Sequence, residues 1–337
     1  MSPTDLIPPL YREGASRIAS ALGEVNNILV AGHADPDGDA IGAAAAAGHI
    51  SRFLGKKFML YSRTGLPRSL AFLSLPGVVY SSLEHSPFSP CGAVLLDCNE
   101  AHRLDQELTH YLPKLVTINV DHHPGKGMGT SANWIFPQAA ATSQLVAYVA
   151  LHLGIPLSGA LADAVAVGLI TDTGGFRHNN TDADVLRLTA HLVETGCNIS
   201  LLRDFLENDW SLERLRLWAT LMSRVRLERD NTVAFCFAMA DDLRKNHCLK
   251  EDLEGFVEHL RRLRGVRVAA LLLETSQGTC KFSLRSAETS NAFAMASALG
   301  GGGHINAAGG TLRLAPEQAE NVLLAAICGQ LDEEKIS

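Results

Sequence analysis

Four short apolar runs, each cut off by glycine, proline or a charged residue, govern what the first half of this chain can become. They are residues 27–31 (NILVA), 57–61 (KFMLY), 93–96 (AVLL) and 115–120 (LVTINV). Runs this short and this rich in β-branched residues read as buried strands. Helical patterning fills the gaps, most clearly over residues 41–54. Strands alternating with helices predict an α/β fold, a Rossmann-like parallel sheet with helices on both faces. Helical segments follow over residues 142–153, 159–170 and 182–194.

The pattern then changes. Residues 204–229 are charged and helical, with Trp210, Leu215, Trp218 and Leu221 spaced along one face. Beyond them, residues 232–237, 266–273 and 279–284 read as strands, and residues 253–263 and 291–299 as helices. A chain of 337 residues is expected to form two domains. The expected division is 1–203 for the first domain, 204–230 for a helical linker, and 231–337 for a smaller α+β domain.

Chemistry collects where the first-half elements end. Residues 33–39 (HADPDGD) follow the first strand, Asp97 the third, and Asp121-His122-His123 the fourth, while Asp172 closes a helical segment before Thr-Gly-Gly. Loops at strand C-termini are where open α/β sheets bind ligands. Carboxylates this crowded repel, so a cation is their natural occupant. An acidic turn capping a helix explains the first motif alone, but not four such elements at equivalent ends. Two histidines and four aspartates suffice for two octahedral-leaning cations sharing a carboxylate. With no thiolate among them, manganese or magnesium fits better than structural zinc.

These motifs, in this order, resemble the DHH phosphoesterases, a family named for the triplet seen here as Asp121-His122-His123. The resemblance implies the ligand set residue by residue. His33, Asp37 and Asp97 would hold one divalent ion, and Asp39, Asp97, His122 and Asp172 the other, Mn²⁺ before Mg²⁺. It also makes His123 and Asp121, with the bridging Asp97, the catalytic candidates. His123 would orient ligands or assist the leaving group, and Asp121 would fix an imidazole tautomer. A structural role is equally open to each of them and to Asp35. Gln144 stands where relatives often carry Glu.

A second constellation, residues 300–310 (GGGGHINAAGG), sets six glycines around His304. Glycine lets successive N–H groups approach a phosphate, though a flexible hinge looks the same. It is neither a Walker loop nor a dinucleotide fingerprint. Arg285-Ser286, ending a strand, is a basic and hydroxyl pair suited to phosphate. Together these resemble the substrate-binding domain commonly attached to DHH domains, within the group of nanoRNases and phosphoadenosine-phosphate (pAp) phosphatases. The resemblance implies that Arg285, Ser286, Gly302, Gly303 and His304 contact a substrate phosphate or base. Arg177 and His178 reach the same substrate or are exposed turn residues.

The implied activity is two-metal hydrolysis of short oligoribonucleotides and linear dinucleotides to 5′-mononucleotides, together with dephosphorylation of pAp. A cyclic-di-AMP phosphodiesterase of the same family is one alternative, and a non-catalytic nucleotide sensor, from a different class, is another. A related pyrophosphatase is disfavoured by the glycine–histidine domain. The net charge of -7, with neither half basic, argues against tracking along long nucleic acid. Seven scattered cysteines without a C-x-x-C pair fit a reducing cytoplasm, and no signal peptide or membrane span is expected. A homodimer is expected from relatives alone. The basic run Arg261, Arg262, Arg264 and Arg267 reads as a solvated helix end.

Overall fold

In the computed structural model, which describes residues 3–207, 210–287 and 289–334, the chain divides between residues 209 and 210 into two units. Each unit is built on its own six-stranded sheet.

The first sheet is parallel throughout. Its strands are β1 (Ile28–Ala31), β2 (Phe58–Tyr61), β3 (Val79–Tyr80), β4 (Gly92–Leu96), β5 (Val116–Asp121) and β6 (Ala132–Ile135), in the spatial order β3-β2-β1-β4-β5-β6. Alternate residues serve opposite faces. Ile28 and Val30 pack into one core with helices α1 (Pro9–Glu24), α2 (Gly38–Phe53), α4 (Thr142–His152) and α5 (Gly159–Asp172). Leu29 and Ala31 pack into a second core with the short α3 (Gln106–Tyr111). Burial on both faces is why β1, β2 and β4 read as unbroken apolar runs. Two further helices, α6 (Ala183–Glu194) and α7 (Ile199–Glu207), complete the unit. The two edge strands β3 and β6 were not among the sequence expectations; β3 has two residues, too few for any periodicity.

Helices α2 and α5 approach at backbone distance. A Cβ on Gly42 would lie 2.5 Å from the carbonyl oxygen of Ala164. One on Gly168 would lie 2.2 Å from Ser143 Oγ and 2.4 Å from Asp39 Oδ1. Glycine at both positions is a packing requirement, and it draws the start of α2, the start of α4 and the end of α5 together.

The second sheet is mixed. Its strands are β7 (Arg226–Glu228), β8 (Val233–Ala238), β9 (Val268–Ser276), β10 (Thr279–Ser286), β11 (Gly302–Gly303) and β12 (Ala307–Leu312), in the order β11-β12-β10-β9-β8-β7. Only the β8–β9 pair is parallel. Helices α11 (Ala292–Ser297) and α12 (Pro316–Glu333) cover one face, while α8 (Leu212–Met222) and α10 (Phe256–Arg261) cover the other. The short α9 (Ala240–Lys245) lies between β8 and α10 in sequence. The stretch expected as a linker thus contributes the end of α7 to the first unit, and α8 and the edge strand β7 to the second. Among the described residues no helix is long and apolar enough to cross a membrane, and all seven cysteines are free.

Candidate metal centre

The order of the first sheet reverses between β1 and β4, which opens a crevice at their C-terminal ends. The expected residues flank it. His33 and Asp37 follow β1, Asp39 lies in the first turn of α2, Asp97 follows β4, Asp121 ends β5 with His122 and His123 next, and Asp172 ends α5. Asp97 adopts φ 55°, a left-handed conformation uncommon outside glycine, and its N–H donates to the Val120 carbonyl at 3.1 Å. That kink turns the side chain into the crevice instead of continuing β4.

Within the first unit three clusters of ligand atoms result: His33–Asp37–Asp97, Asp39–His122–Asp172 and Asp97–Asp121–His123. His33 Nε2 lies 3.4 Å from Asp97 Oδ2 and 3.9 Å from Asp37 Oδ1. His122 Nε2 lies 3.0 Å from Asp172 Oδ2, 3.4 Å from Asp97 Oδ1 and 4.0 Å from Asp39 Oδ2. Asp97 therefore faces both imidazoles, one through each oxygen.

The donor chemistry fits divalent cations. His122 Nδ1 donates to the Ala139 carbonyl at 3.2 Å, so its Nε2 is the nitrogen facing the carboxylates. His33 Nε2 is buried and makes no hydrogen bond. Ionised carboxylates offer only acceptors, so only a proton or a metal ion can lie favourably between these groups. The pKa shifts say the same. Burial alone would depress His33, but the carboxylates of Asp37 and Asp97 outweigh it and push the imidazole up to about 10. Burial lifts Asp172 to about 6 against the pull of His122. Burial, Asp172 and Asp97 hold Asp39 well above the usual carboxylate range. This is a pocket of negative charge that favours any cation placed in it.

Several positioning groups were invisible in the sequence. Thr142 Oγ1 donates to Asp97 Oδ1 at 3.0 Å, while the N–H groups of Thr142 and Ser143 donate to the two oxygens of Asp39 at 2.6 and 2.9 Å. Helix α4 begins after Ala141, which supplies no capping side chain; a helix start without a cap of its own was the only signal in the sequence. Asp37 caps its own helix by accepting from the N–H groups of Asp39 and Ala40. Beyond Asp172, Gly174, Gly175 and Phe176 all take positive φ. The sharp turn lets His178 Nδ1 and Asn180 Nδ2 donate to the Asp172 carbonyl, at 3.2 and 3.1 Å. Gln144 is buried, accepting from the Ala140 N–H and contacting the Tyr148 hydroxyl. His123 is held by Asp121, whose Oδ1 accepts from both its backbone N–H and Nδ1, at 2.9 and 2.7 Å. Arg177 is exposed, and its Nε donates to the Gly174 carbonyl at 2.6 Å.

In the second unit, Arg285 and Ser286 end β10, and the glycine cluster forms a hairpin instead of a loop. Gly302 and Gly303 pair with Gly309 and Ala308, while the N–H groups of Gly300, Gly301 and His304 bond to the protein's own carbonyls. The glycines serve close packing: a Cβ on Gly309 would lie 2.6 Å from the Phe282 carbonyl oxygen. Gly303 and His304 are exposed at the tip. Ser286 is 5% exposed, and its hydroxyl donates to the Ser290 carbonyl at 2.7 Å. It holds the loop together, with Asn306 Nδ2 donating to it at 3.2 Å. Arg285 alone of the pair offers a charged side chain at this end of the sheet.

Residues 27–169 match the DHH family, N-terminal domain, and residues 231–332 match the DHHA1 domain. A Thermus thermophilus protein named bifunctional oligoribonuclease and PAP phosphatase NrnA is 33% identical over 328 residues, 96% of each chain. A Bacillus subtilis protein of the same name is 24% identical over 311 residues, 90% of this chain and 95% of that one. The crystal structure of an exopolyphosphatase-related protein from Bacteroides fragilis superposes with a TM-score of 0.86 at 24% identity, covering 98% of both chains. That last likeness is one of fold.

Proposed function

The chain belongs to the DHH phosphoesterase family, with a DHHA1 domain after the DHH domain, and is a hydrolase; on that premise we propose that it degrades short oligoribonucleotides and linear dinucleotides to 5′-mononucleotides and removes a phosphate from pAp. The observation that carries the chemistry is the convergence of six residues in two neighbouring clusters, His33–Asp37–Asp97 and Asp39–His122–Asp172, with Asp97 lying 3.4 Å from the imidazole of each. The substrate class follows the name of the Thermus relative and the acidic net charge, which suits a short substrate held by local contacts.

These six residues would hold two divalent cations, Mn²⁺ by preference. Cations in such a site offset the charge that develops at phosphorus and make a water acidic near neutral pH. The chain supplies the rest. Asp97, fixed by its left-handed backbone and by Thr142, sets the spacing of the two clusters. Asp121 orients His123 through Nδ1, which leaves Nε2 to carry a proton to the leaving oxygen. Burial would depress that imidazole, but Asp121 and Asp97 raise it. Arg285, with His304 and the tip of the glycine hairpin, would bind a substrate phosphate or base, and Arg177 is a further candidate contact.

The test is a panel of linear 5′-phosphorylated di- to pentanucleotides, pAp and cyclic di-AMP, assayed with the full chain and Mn²⁺. Release of 5′-mononucleotides from the dinucleotides and of AMP from pAp is the expected result. Failure to turn over either would overturn the reading. Faster turnover of cyclic di-AMP than of linear diadenylate would select the cyclic-dinucleotide alternative, and metal binding without any turnover would select the sensor.

A further inference from the structure

Arg285 does not stand alone at the end of β10. Oε1 of Glu258, on α10, lies 2.5 Å from its Nε, and its Nη1 donates to the Leu284 carbonyl at 3.0 Å. Both side chains of the pair are about one-third exposed, 31% for Arg285 and 35% for Glu258. The second carboxylate oxygen, Glu258 Oε2, is buried and makes no hydrogen bond. A partly exposed ion pair contributes little to stability, and a buried acceptor without a donor counts against it. Stability does not account for this arrangement.

We infer that Glu258 is a positioning residue for Arg285, holding the guanidinium through Nε so that the rest of its donor fork is set for a substrate phosphate. Arginine carries large rotamer freedom, and binding an anion with a mobile side chain forfeits affinity to the cost of ordering it. With Nε on Glu258 and Nη1 on the main chain, the plane of the guanidinium is fixed before substrate arrives. The inference rests on the proposed phosphate contact of Arg285. A neighbouring carboxylate could instead compete with phosphate for the arginine, and the two roles differ in sign.

The experiment measures KM and kcat for 5′-phosphorylated diadenylate with Mn²⁺ in the full chain and in Glu258→Gln, Arg285→Ala and the double variant. Positioning predicts that Glu258→Gln raises KM roughly five- to tenfold with kcat within about twofold of the parent. It also predicts no further rise when the change is added to Arg285→Ala, because Glu258 acts only through that side chain. An unchanged or lowered KM in Glu258→Gln overturns the inference, as does an equal rise in the Arg285→Ala background. If Arg285→Ala itself leaves KM unmoved, the phosphate reading of Arg285 fails and the inference with it. A raised KM in Arg285→Ala beside an unmoved one in Glu258→Gln removes the positioning role alone. Should Glu258→Gln not accumulate as folded protein, Glu258→Asp, one methylene shorter, is expected to raise KM in the same direction, and an unmoved KM there overturns the inference equally.

Discussion

Asp39 caps helix α4 across 103 residues of sequence, its Oδ2 taking the N–H of Thr142 at 2.6 Å. The same carboxylate belongs to the cluster with His122 and Asp172. One side chain therefore serves the helix and the proposed cation site, and replacing it is expected to disturb both.

Asp39→Ala is expected to lose activity and also to unfold more easily, because two buried N–H groups lose their acceptor. Loss of a helix cap costs about 0.5–2 kcal/mol, which urea titration with Mn²⁺ present would resolve. Asp39→Asn keeps an acceptor oxygen and should lose less stability while remaining inactive. Equal midpoints for Asp39→Ala and the parent would refute the capping role.

Thr142→Val removes the hydroxyl on Asp97 but keeps the backbone N–H on Asp39. Loss of a group that orients a metal ligand typically lowers metal affinity or activity about 10–100-fold. A Mn²⁺ titration of activity should show the loss, with thermal stability nearly unchanged. Full activity at low Mn²⁺ would remove Thr142 from the machinery.

Gly168→Ala inserts a methyl 2.4 Å from Asp39 Oδ1 and 2.2 Å from Ser143 Oγ. Overpacking of this kind costs roughly 1–3 kcal/mol, and here a displaced atom belongs to a proposed metal ligand, Asp39. The variant should fold with a lowered Tm and lose most of its turnover. A parent-like kcat would mean that α5 can shift without moving the centre.

Metal removal should be visible without any substrate. If divalent ions bind the folded centre and not the unfolded chain, as proposed, stripping them lowers Tm and adding Mn²⁺ restores it. At 100 times Kd the gain is about 2.7 kcal/mol. Asp97→Asn, which weakens both clusters at once, should blunt that response and abolish turnover. A Tm indifferent to chelator and to Mn²⁺ would sink the metal assignment.

The sequence made the site's chemistry legible because each motif follows directly on a strand or helix, so order along the chain became order along one sheet edge. Strands β1, β2, β4 and β5 were readable for the same reason that they are buried on both faces. Thr142 was not, since its role depends on Asp39 and Asp97, each distant in sequence. Ser286 was recognised as a hydroxyl beside an arginine, yet pairing of β10 with β9 turns it inward, toward Ser290. The glycine cluster was readable as backbone suited to close approach, but the antiparallel pairing of Gly302 and Gly303 with Gly309 and Ala308 that makes it a hairpin was not. Arg267, counted within a solvated basic run, instead bridges the Ser290 hydroxyl and Glu334. In each case residue type was evident and direction was not, because direction is decided by partners far along the chain.

The glycine contacts between α2 and α5 have a consequence for how such a centre can change over generations. A crossing with a large side chain in it can drift by small steps, trimming here and filling there. At Gly42 and Gly168 there is nothing to trim, and every substitution adds atoms against backbone, Ser143 or Asp39 itself. Variation is thus blocked in the direction that would loosen ligand spacing gradually, while the hairpin tip that carries His304, exposed at its end, stays open to it. A catalytic geometry locked in this way leaves recognition of the substrate as the part free to be rewritten.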